Sequence, residues 1–264
     1  MGQVVLNGVV HDLDYEPSVQ HGAKPMWRTP IEINGRMVHG VNINGYDYPP
    51  CDSDCVLYLP GLPGYGSTIW DRSNQGKHGT ITGATWRRLP GGLRCLNHDG
   101  DDYVTCGNIS QLDATTNFTL RAWLIITAWS ATNYTHIISY VADDDNRFSF
   151  SLTNTDYKLW MGLYSGGVGD NKAINYTLSL NVPYRMVMTR DGTNLNFYLN
   201  GTYLDGVAST RTWTGWTGTL RLMTYSTTVG RTIGISGLQQ INLRALSASE
   251  VKNDFNQESH LFRI

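Results

Sequence analysis

The segment Tyr184–Gly201, Tyr-Arg-Met-Val-Met-Thr-Arg-Asp-Gly-Thr-Asn-Leu-Asn-Phe-Tyr-Leu-Asn-Gly, most constrains the fold. Asp191-Gly192 and Asn200-Gly201 supply the positive backbone dihedrals that tight turns demand. Before the first turn, Arg185, Val187 and Thr189 alternate with Met186 and Met188. After it, Leu195, Phe197 and Leu199 alternate with Asn196, Tyr198 and Asn200. A period of two belongs to half-buried strands, so this is an antiparallel β-hairpin.

From residue 55 onward strand-like segments recur with turn signals between them, as an all-β sandwich requires. They include Thr119–Ile126, His136–Val141, Arg147–Leu152, Lys158–Tyr164 and Leu220–Met223. One helix is expected near the end, where Ser247-Ala-Ser-Glu250 spells a capping box before Val251 and Phe255. Residues 1–50 differ. They carry Pro25, Pro30, Pro49 and Pro50 and only short strand-like pieces, among them an Asn34-Gly35 hairpin. Such a segment is too small to bury its own core. It reads as an arm for docking or self-association, bounded by the Pro49-Pro50 step, with the sandwich occupying 51–264.

The wording of the hairpin resembles that of LamG-like jelly rolls, the concanavalin A-like sandwiches of lectins and glucanases. Other blocks agree in chain order: Leu57-Tyr-Leu59, Asp71–Thr80, Ile81-Thr-Gly-Ala-Thr-Trp86, Asp99–Val104, Phe118–Trp123 and Arg244-Ala-Leu-Ser247. The resemblance covers roughly residues 55 to 256. It implies an all-β, two-sheet antiparallel jelly-roll sandwich with an irregular N-terminal arm and one short C-terminal helix.

Composition narrows the partners. The formal net charge is -2 and only 16% of the 264 residues are charged, so no basic stripe exists to neutralise phosphates or anionic lipid. Nucleic acid and membrane surfaces are poor partners. No apolar run approaches the ~20 residues that span a bilayer. Met1–His11 lacks a basic n-region and breaks at Asn7 and His11, so no signal peptide is read there. The expected location is extracellular or on a virion surface, reached without a recognisable leader.

Four cysteines give three readings. Cys95 and Cys106 flank Asp99-Gly100 at equal distances, where cross-strand partners can meet disulfide geometry. Cys51 and Cys55 share a Pro-Pro-Cys-Asp-Ser-Asp-Cys turn and are the other disulfide candidates. The alternatives are a four-cysteine zinc site, disfavoured by the spacing, and free buried thiols.

Catalytic chemistry is poorly represented. Glycosidases on this fold need two carboxylates flanking the scissile bond, but the glutamates are only Glu16, Glu32, Glu250 and Glu258, in the arm and the terminal helix. No nucleophile elbow, phosphate loop or His-Glu-x-x-His is present. A Tyr/His lyase pair would need convergence of residues such as Tyr15, Tyr134, Tyr140, His78, His98 or His136. The expectation is therefore a non-enzyme with no catalytic residues.

The resemblance also implies a structural calcium held by the Asp71 loop, with Asp71 and Asn74 as ligands. Two family carboxylates are missing, however: His78 replaces one, and the last strand reads Leu238-Gln-Gln-Ile241. That lowers the charge density a hard cation needs and favours Asp71 as a turn former bonded to the backbone of Ser73 or Asn74. Asp99/Asp101/Asp102 and Asp143/Asp144/Asp145 read as solvated tips.

Aromatic residues carry the remaining functional signal, because sugar rings stack their C–H faces on Trp and Tyr. Trp86 and Trp123 match core positions of the family. Trp213 and Trp216 lie in a Thr/Gly-rich connection, and Trp129 with Tyr134 forms a similar loop pair. These four are the carbohydrate-binding candidates, against a reading as edge-covering or oligomer contacts. Together these features suggest a non-catalytic structural or adhesion protein, a virion decoration or fibre component able to bind carbohydrate. The alternative is a lectin module of a secreted polysaccharide-degrading system. Deleting residues 1–50 is expected to leave the sandwich folded by circular dichroism while abolishing any higher-order species in sedimentation.

Overall fold

The computed structural model describes the backbone of residues 2–6, 9–13, 31–33, 36–38, 41–43 and 46–48. It then describes residues 53–262, apart from 74, 91, 114, 130–133, 154–157, 210, 212–216 and 227–231. Two compact units divide between His39 and Gly40, ahead of the Pro49-Pro50 step. The first, Met1–His39, contains hairpins β1 (Gly2–Leu6)/β2 (Val9–Leu13) and β3 (Ile31–Ile33)/β4 (Arg36–Val38), the latter paired Ile33 to Arg36 around the expected turn.

The second unit opens with hairpin β5 (Val41–Ile43)/β6 (Tyr46–Tyr48) and then builds the sandwich. Its strands in chain order are β7 (Cys55–Leu59), β8 (Thr68–Ile69), β9 (Gly79–Thr82), β10 (Thr85–Arg88), β11 (Arg94–Asp99) and β12 (Tyr103–Gly107). Next come β13 (Asn117–Ala128), β14 (Tyr134–Val141), β15 (Arg147–Thr153), β16 (Lys158–Ser165) and β17 (Val168–Thr177). The last are β18 (Pro183–Asp191), β19 (Asn194–Leu199), β20 (Thr202–Ala208), β21 (Thr219–Leu222) and β22 (Ile233–Asn242), followed by helix α1 (Ala248–Glu258). One antiparallel sheet runs β10-β11-β22-β13-β18-β19-β20, with β7 also paired to β22. The other runs β17-β16-β15-β14-β21-β12-β9-β8.

The β18/β19 hairpin pairs as its alternation predicts, Met188 opposite Phe197 and Met186 opposite Leu199. Gly192 and both Asn200 and Gly201 have positive φ, so the Asn-Gly step takes the primed-turn geometry. Asp191 fastens the first turn by accepting from the backbone N–H of Thr193 and Asn194. Met186, Met188, Leu195, Phe197 and Leu199 enter the inter-sheet core. There Phe118 stacks on Phe148 at 5.1 Å and Phe150 meets Phe197 edge-on at 4.9 Å. Each such ring contributes about 1.5–3 kcal/mol through burial.

The other face of β18 departs from the half-buried expectation, since Arg185, Val187 and Thr189 are fully buried. A second core covers that side of the sheet. Trp123 leaves the inter-sheet space and stacks on Phe262 at 4.3 Å and on Phe255 at 5.8 Å, beneath α1 and the segment after it. Ser247 and Glu250 form the expected capping box. At the far end of α1, Glu258 is buried. It accepts from Trp123 Nε1 at 2.6 Å and pairs with Arg185, 2.9 Å from its Nε. Burial pulls the Glu258 pKa up, opposed chiefly by Arg185 and Arg121. Arg121 pairs with Asp254 one turn earlier, so two guanidiniums from the sheet hold the helix.

The cysteine expectation needs correction. Cys95 and Cys106 are both free. Asp99-Gly100 does not close a hairpin: β11 and β12 belong to opposite sheets, and the chain crosses between layers there. Cys95 lies in the outer core beside Gly237 and Phe262, whereas Cys106 lies in the inter-sheet core, so they face different cores. Burial raises the Cys95 thiol to about 12 and the Cys106 thiol still further, which leaves both inert. Cys55 is disulfide-bonded, and Cys51 lies outside the described residues. The crossing also uses Gly83 at φ +79°, because a Cβ there would stand 1.9 Å from Asp102 Oδ1.

Glu258→Ala leaves the buried Arg185 without its counter-charge and is expected to lower stability by about 3–5 kcal/mol, measured by urea unfolding.

Candidate functional site

The two sheets differ in what covers them. The first carries α1, whereas the outer face of the second bears a row-by-row array of polar and aromatic side chains set by strand register. His136, Ser151, Trp160 and Ala173 are successive cross-strand partners. The next row on that face is Ser139, Ser149, Gly162 and Asn171, and the next is Val141, Arg147, Tyr164 and Gly169. Inward positions of the same strands, such as Phe148, Phe150, Leu159, Met161 and Leu163, form the inter-sheet core.

Two glycines shape this face. An added Cβ at Gly162 would come within 2.2 Å of the Trp160 ring, and one at Gly169 within 2.4 Å of the Tyr164 ring. Each ring therefore packs closely against the bare backbone of a glycine. Trp160 and Tyr164 are only half-buried, with centroids 6.4 Å apart and planes inclined by 27°. Tyr134, 41% exposed, extends the row at 5.5 Å from Trp160.

Polar groups rim the rings. The Arg147 guanidinium sits 3.9 Å above the Tyr164 centroid and 5.8 Å from that of Tyr225. Tyr225 donates its hydroxyl to Asp144 at 2.6 Å, and Asn171 donates to the Tyr164 hydroxyl at 3.3 Å. Beneath them His136 lies 5.1 Å from Tyr225 and 6.1 Å from Tyr134, with Nδ1 2.7 Å from Ser151 Oγ. Burial, reinforced by Arg147, depresses the His136 pKa to about 3, so the imidazole is neutral. Aromatic rings flanked by hydroxyl, amide and guanidinium donors suit a ligand with apolar C–H faces and hydroxyl edges.

Of the residues expected from sequence, Tyr134 belongs to this face, at the start of a strand instead of in a loop. Trp129 is half-buried against the inter-sheet core. Trp213 and Trp216 lie outside the described residues, as does Asn74. Asp71 is buried and its carboxylate is saturated: Oδ1 accepts from Tyr58 and Ser73 N–H, and Oδ2 from Ser73 Oγ and Lys77 N–H. With two hydrogen bonds on each oxygen it organises the loop, and His78 Nδ1 accepts from its own N–H at 3.1 Å. Among the described residues, three acidic side chains converge at Asp99, Asp101 and Asp102, with ligand atoms within 4.8 Å of one another.

Of the Tyr/His candidates, Tyr134 and His136 do meet, but the imidazole is buried under rings and engaged by Ser151. Tyr140 is a core residue bonded to Asp113 and Ile109 O, and His98 bonds Ser236. Sequence reasoning missed Trp160, Tyr164, Arg147 and Tyr225. The available signal was Trp160-Met-Gly-Leu-Tyr164, where alternation places Trp, Gly and Tyr on one face of a strand.

A two-sheet antiparallel jelly roll with one sheet covered by a C-terminal helix and half-buried rings on the outer face of the other is the architecture of a concanavalin A-like domain. The chain belongs to the concanavalin A-like lectin/glucanases superfamily, whose model matches residues 98–252. No match is found among curated protein sequences. Among solved structures, one similar fold is domain 4 of AbnA, a GH43 extracellular arabinanase from Geobacillus stearothermophilus, in complex with arabinotriose. It shares 15% identity at a TM-score of 0.62, over 76% of this chain and 97% of that one. Another is the botulinum neurotoxin serotype G binding domain, with 16% identity and a TM-score of 0.63 over 78% of this chain. A third, from work on ganglioside-dependent cell entry of botulinum neurotoxin type C, shares 14% identity at 0.59. The chain spans about half the length of the neurotoxin chains, 51% and 52%. At such identities the likeness is one of fold.

His98 and His136 are both held neutral, their pKa values lowered from 6.5 to about 3 mainly by burial. Between those values the unfolded chain binds more protons than the folded one, so stability is full above pH 6.5 and declines as pH falls toward 3. Urea midpoints across that range should drop accordingly, and His136→Gln should make the drop shallower.

Proposed function

We propose that the protein is a non-catalytic carbohydrate-binding jelly roll whose ligand stacks on the outer face of the second sheet. The observation that carries this reading is the row of rings Tyr134, Trp160 and Tyr164, the last two packed against Gly162 and Gly169, with Arg147 at the Tyr164 end. The ring faces are held in place before any ligand arrives, which reduces the entropy lost on binding. Two similar folds support the same reading, one solved with arabinotriose and one from work on ganglioside-dependent cell entry. A binding role fits the carboxylates too. Glu250 caps α1 and Glu258 neutralises Arg185, so neither is available as a glycosidic acid or nucleophile.

In this reading the protein is an adhesion or assembly component on an extracellular or virion surface, such as a decoration or fibre subunit. Residues 1–50 dock it to a neighbour. The likeness to one domain of an extracellular arabinanase favours a second setting, a carbohydrate-binding module of a secreted polysaccharide-degrading system.

Each lost stacking face costs ~0.5–1.5 kcal/mol, so W160A/Y164A should weaken glycan binding by about tenfold or more while leaving circular dichroism unchanged. Glycan-array screening followed by calorimetry is the measurement. The companion variant W213A/W216A separates the sheet face from the Thr/Gly-rich connection. Loss of binding in that variant alone would move the site to the connection, and a wild-type chain that binds no glycan would end the proposal.

A further inference from the structure

We propose a second ligand site, separate from the aromatic face, on the β10/β11 hairpin: an oxyanion-binding patch for an acidic glycan, built by Arg88, Arg94 and Tyr65. Arg88 and Arg94 are direct cross-strand partners, and both are exposed. Trp86 and Leu96 form the next pair on the same face, so that face carries apolar side chains at the core and switches to two guanidiniums where it leaves the core. Like charges directly opposite one another destabilise a strand pair. Among the described residues neither arginine, nor neighbouring Arg87, has a carboxylate partner.

Edge protection does not account for the arrangement. A charged side chain can guard a sheet edge such as β10, but here two arginines are matched in register across the hairpin and one of them, Arg94, is held in place. The holding element is the loop Gly61–Gly66. A Cβ at Gly64 would stand 2.9 Å from Arg94 Cγ and 3.2 Å from its Nε, so the arginine stem lies flat on that glycine. Gly66 O accepts from Trp86 Nε1 at 2.7 Å. Tyr65, between these two anchors, is 70% exposed, against 51% for Tyr203, the next most exposed large apolar residue among the described residues.

The chemistry follows from the parts. Paired guanidinium forks bind planar or tetrahedral oxyanions bidentately, and an exposed phenol ring offers a stacking face to a pyranose. A carboxylate or a sulfate ester on a sugar ring satisfies both. The patch is too small for nucleic acid, which needs a stripe of cations along many phosphates.

The test measures binding of the full chain to oligomers of a polyuronate, a sulfated galactan, a neutral galactan and polyglutamate, at low and physiological salt. The wild-type protein should bind at least one acidic glycan about tenfold or more tighter than the neutral one, and added salt should weaken that binding. R88Q/R94Q, both at exposed positions, should erase the preference with circular dichroism unchanged. R88K/R94K should restore only part of it, because lysine keeps the charge without the fork. W160A/Y164A should leave it intact, which keeps this inference distinct from the aromatic-face reading. Preference for the uronate or for the sulfated chain tells which oxyanion is read. Equal binding of neutral and acidic glycans, unchanged binding in R88Q/R94Q, loss of the preference in W160A/Y164A, or equal binding of polyglutamate would each overturn the proposal.

Discussion

The buried pairing of Arg185 with Glu258 sets the asymmetry on which the rest of the structure depends. A guanidinium at the centre of a sheet costs several kcal/mol to desolvate unless a carboxylate meets it. Here that carboxylate comes from the last turn of α1 and also accepts from Trp123. With Arg121 and Asp254 repeating the arrangement, the helix is fixed over one sheet and a second apolar core forms beneath it. That sheet is committed to structure on both faces.

The other sheet carries its polar and aromatic side chains on the outer face, part of which the segment after β21 covers, with Ser139 Oγ donating to Thr224 O. Its inward positions supply Phe148, Phe150, Leu159, Met161 and Leu163 to the shared core, while its outward positions carry serines, glycines and rings. Buried Ser149 and Ser151 form a floor, and Gly162 and Gly169 provide bare backbone on which Trp160 and Tyr164 lie. The resulting surface is rigid because strands hold it, and sites on strands keep their geometry better than sites on loops. The neutral, buried His136 contributes shape and packing beneath the rings.

The crossovers show how small residues decide larger matters. Between β9 and β10 and again between β11 and β12 the chain passes from one sheet to the other. Gly83 in the first passage admits the Asp102 carboxylate of the second, whose other oxygen accepts from Asp99 N–H at 2.8 Å. The same passages carry Trp86 and Arg88 to one end of the sandwich, beside the Gly61–Gly66 loop.

Much of this was legible in residue order alone. Period-two alternation with Asp-Gly and Asn-Gly turns defined the β18/β19 hairpin, and Ser247 with Glu250 defined the start of α1, because both signals are local and act through backbone dihedrals and nearby hydrogen bonds. Tyr134 was read as a loop residue, and the structure places it at the start of β14. What only tertiary structure decided was which residues share a face across strands. Symmetric spacing about Asp99-Gly100 suggested a hairpin joining Cys95 to Cys106, yet the chain changes sheets there and sends the two thiols to different cores. Arg185 lies on a strand that alternation marks as half-buried, and only α1, which supplies Glu258, buries it completely. The aromatic face likewise arises from pairing of β14, β15, β16 and β17, and cross-strand register is set by the whole sheet, a quantity that no local run of sequence contains.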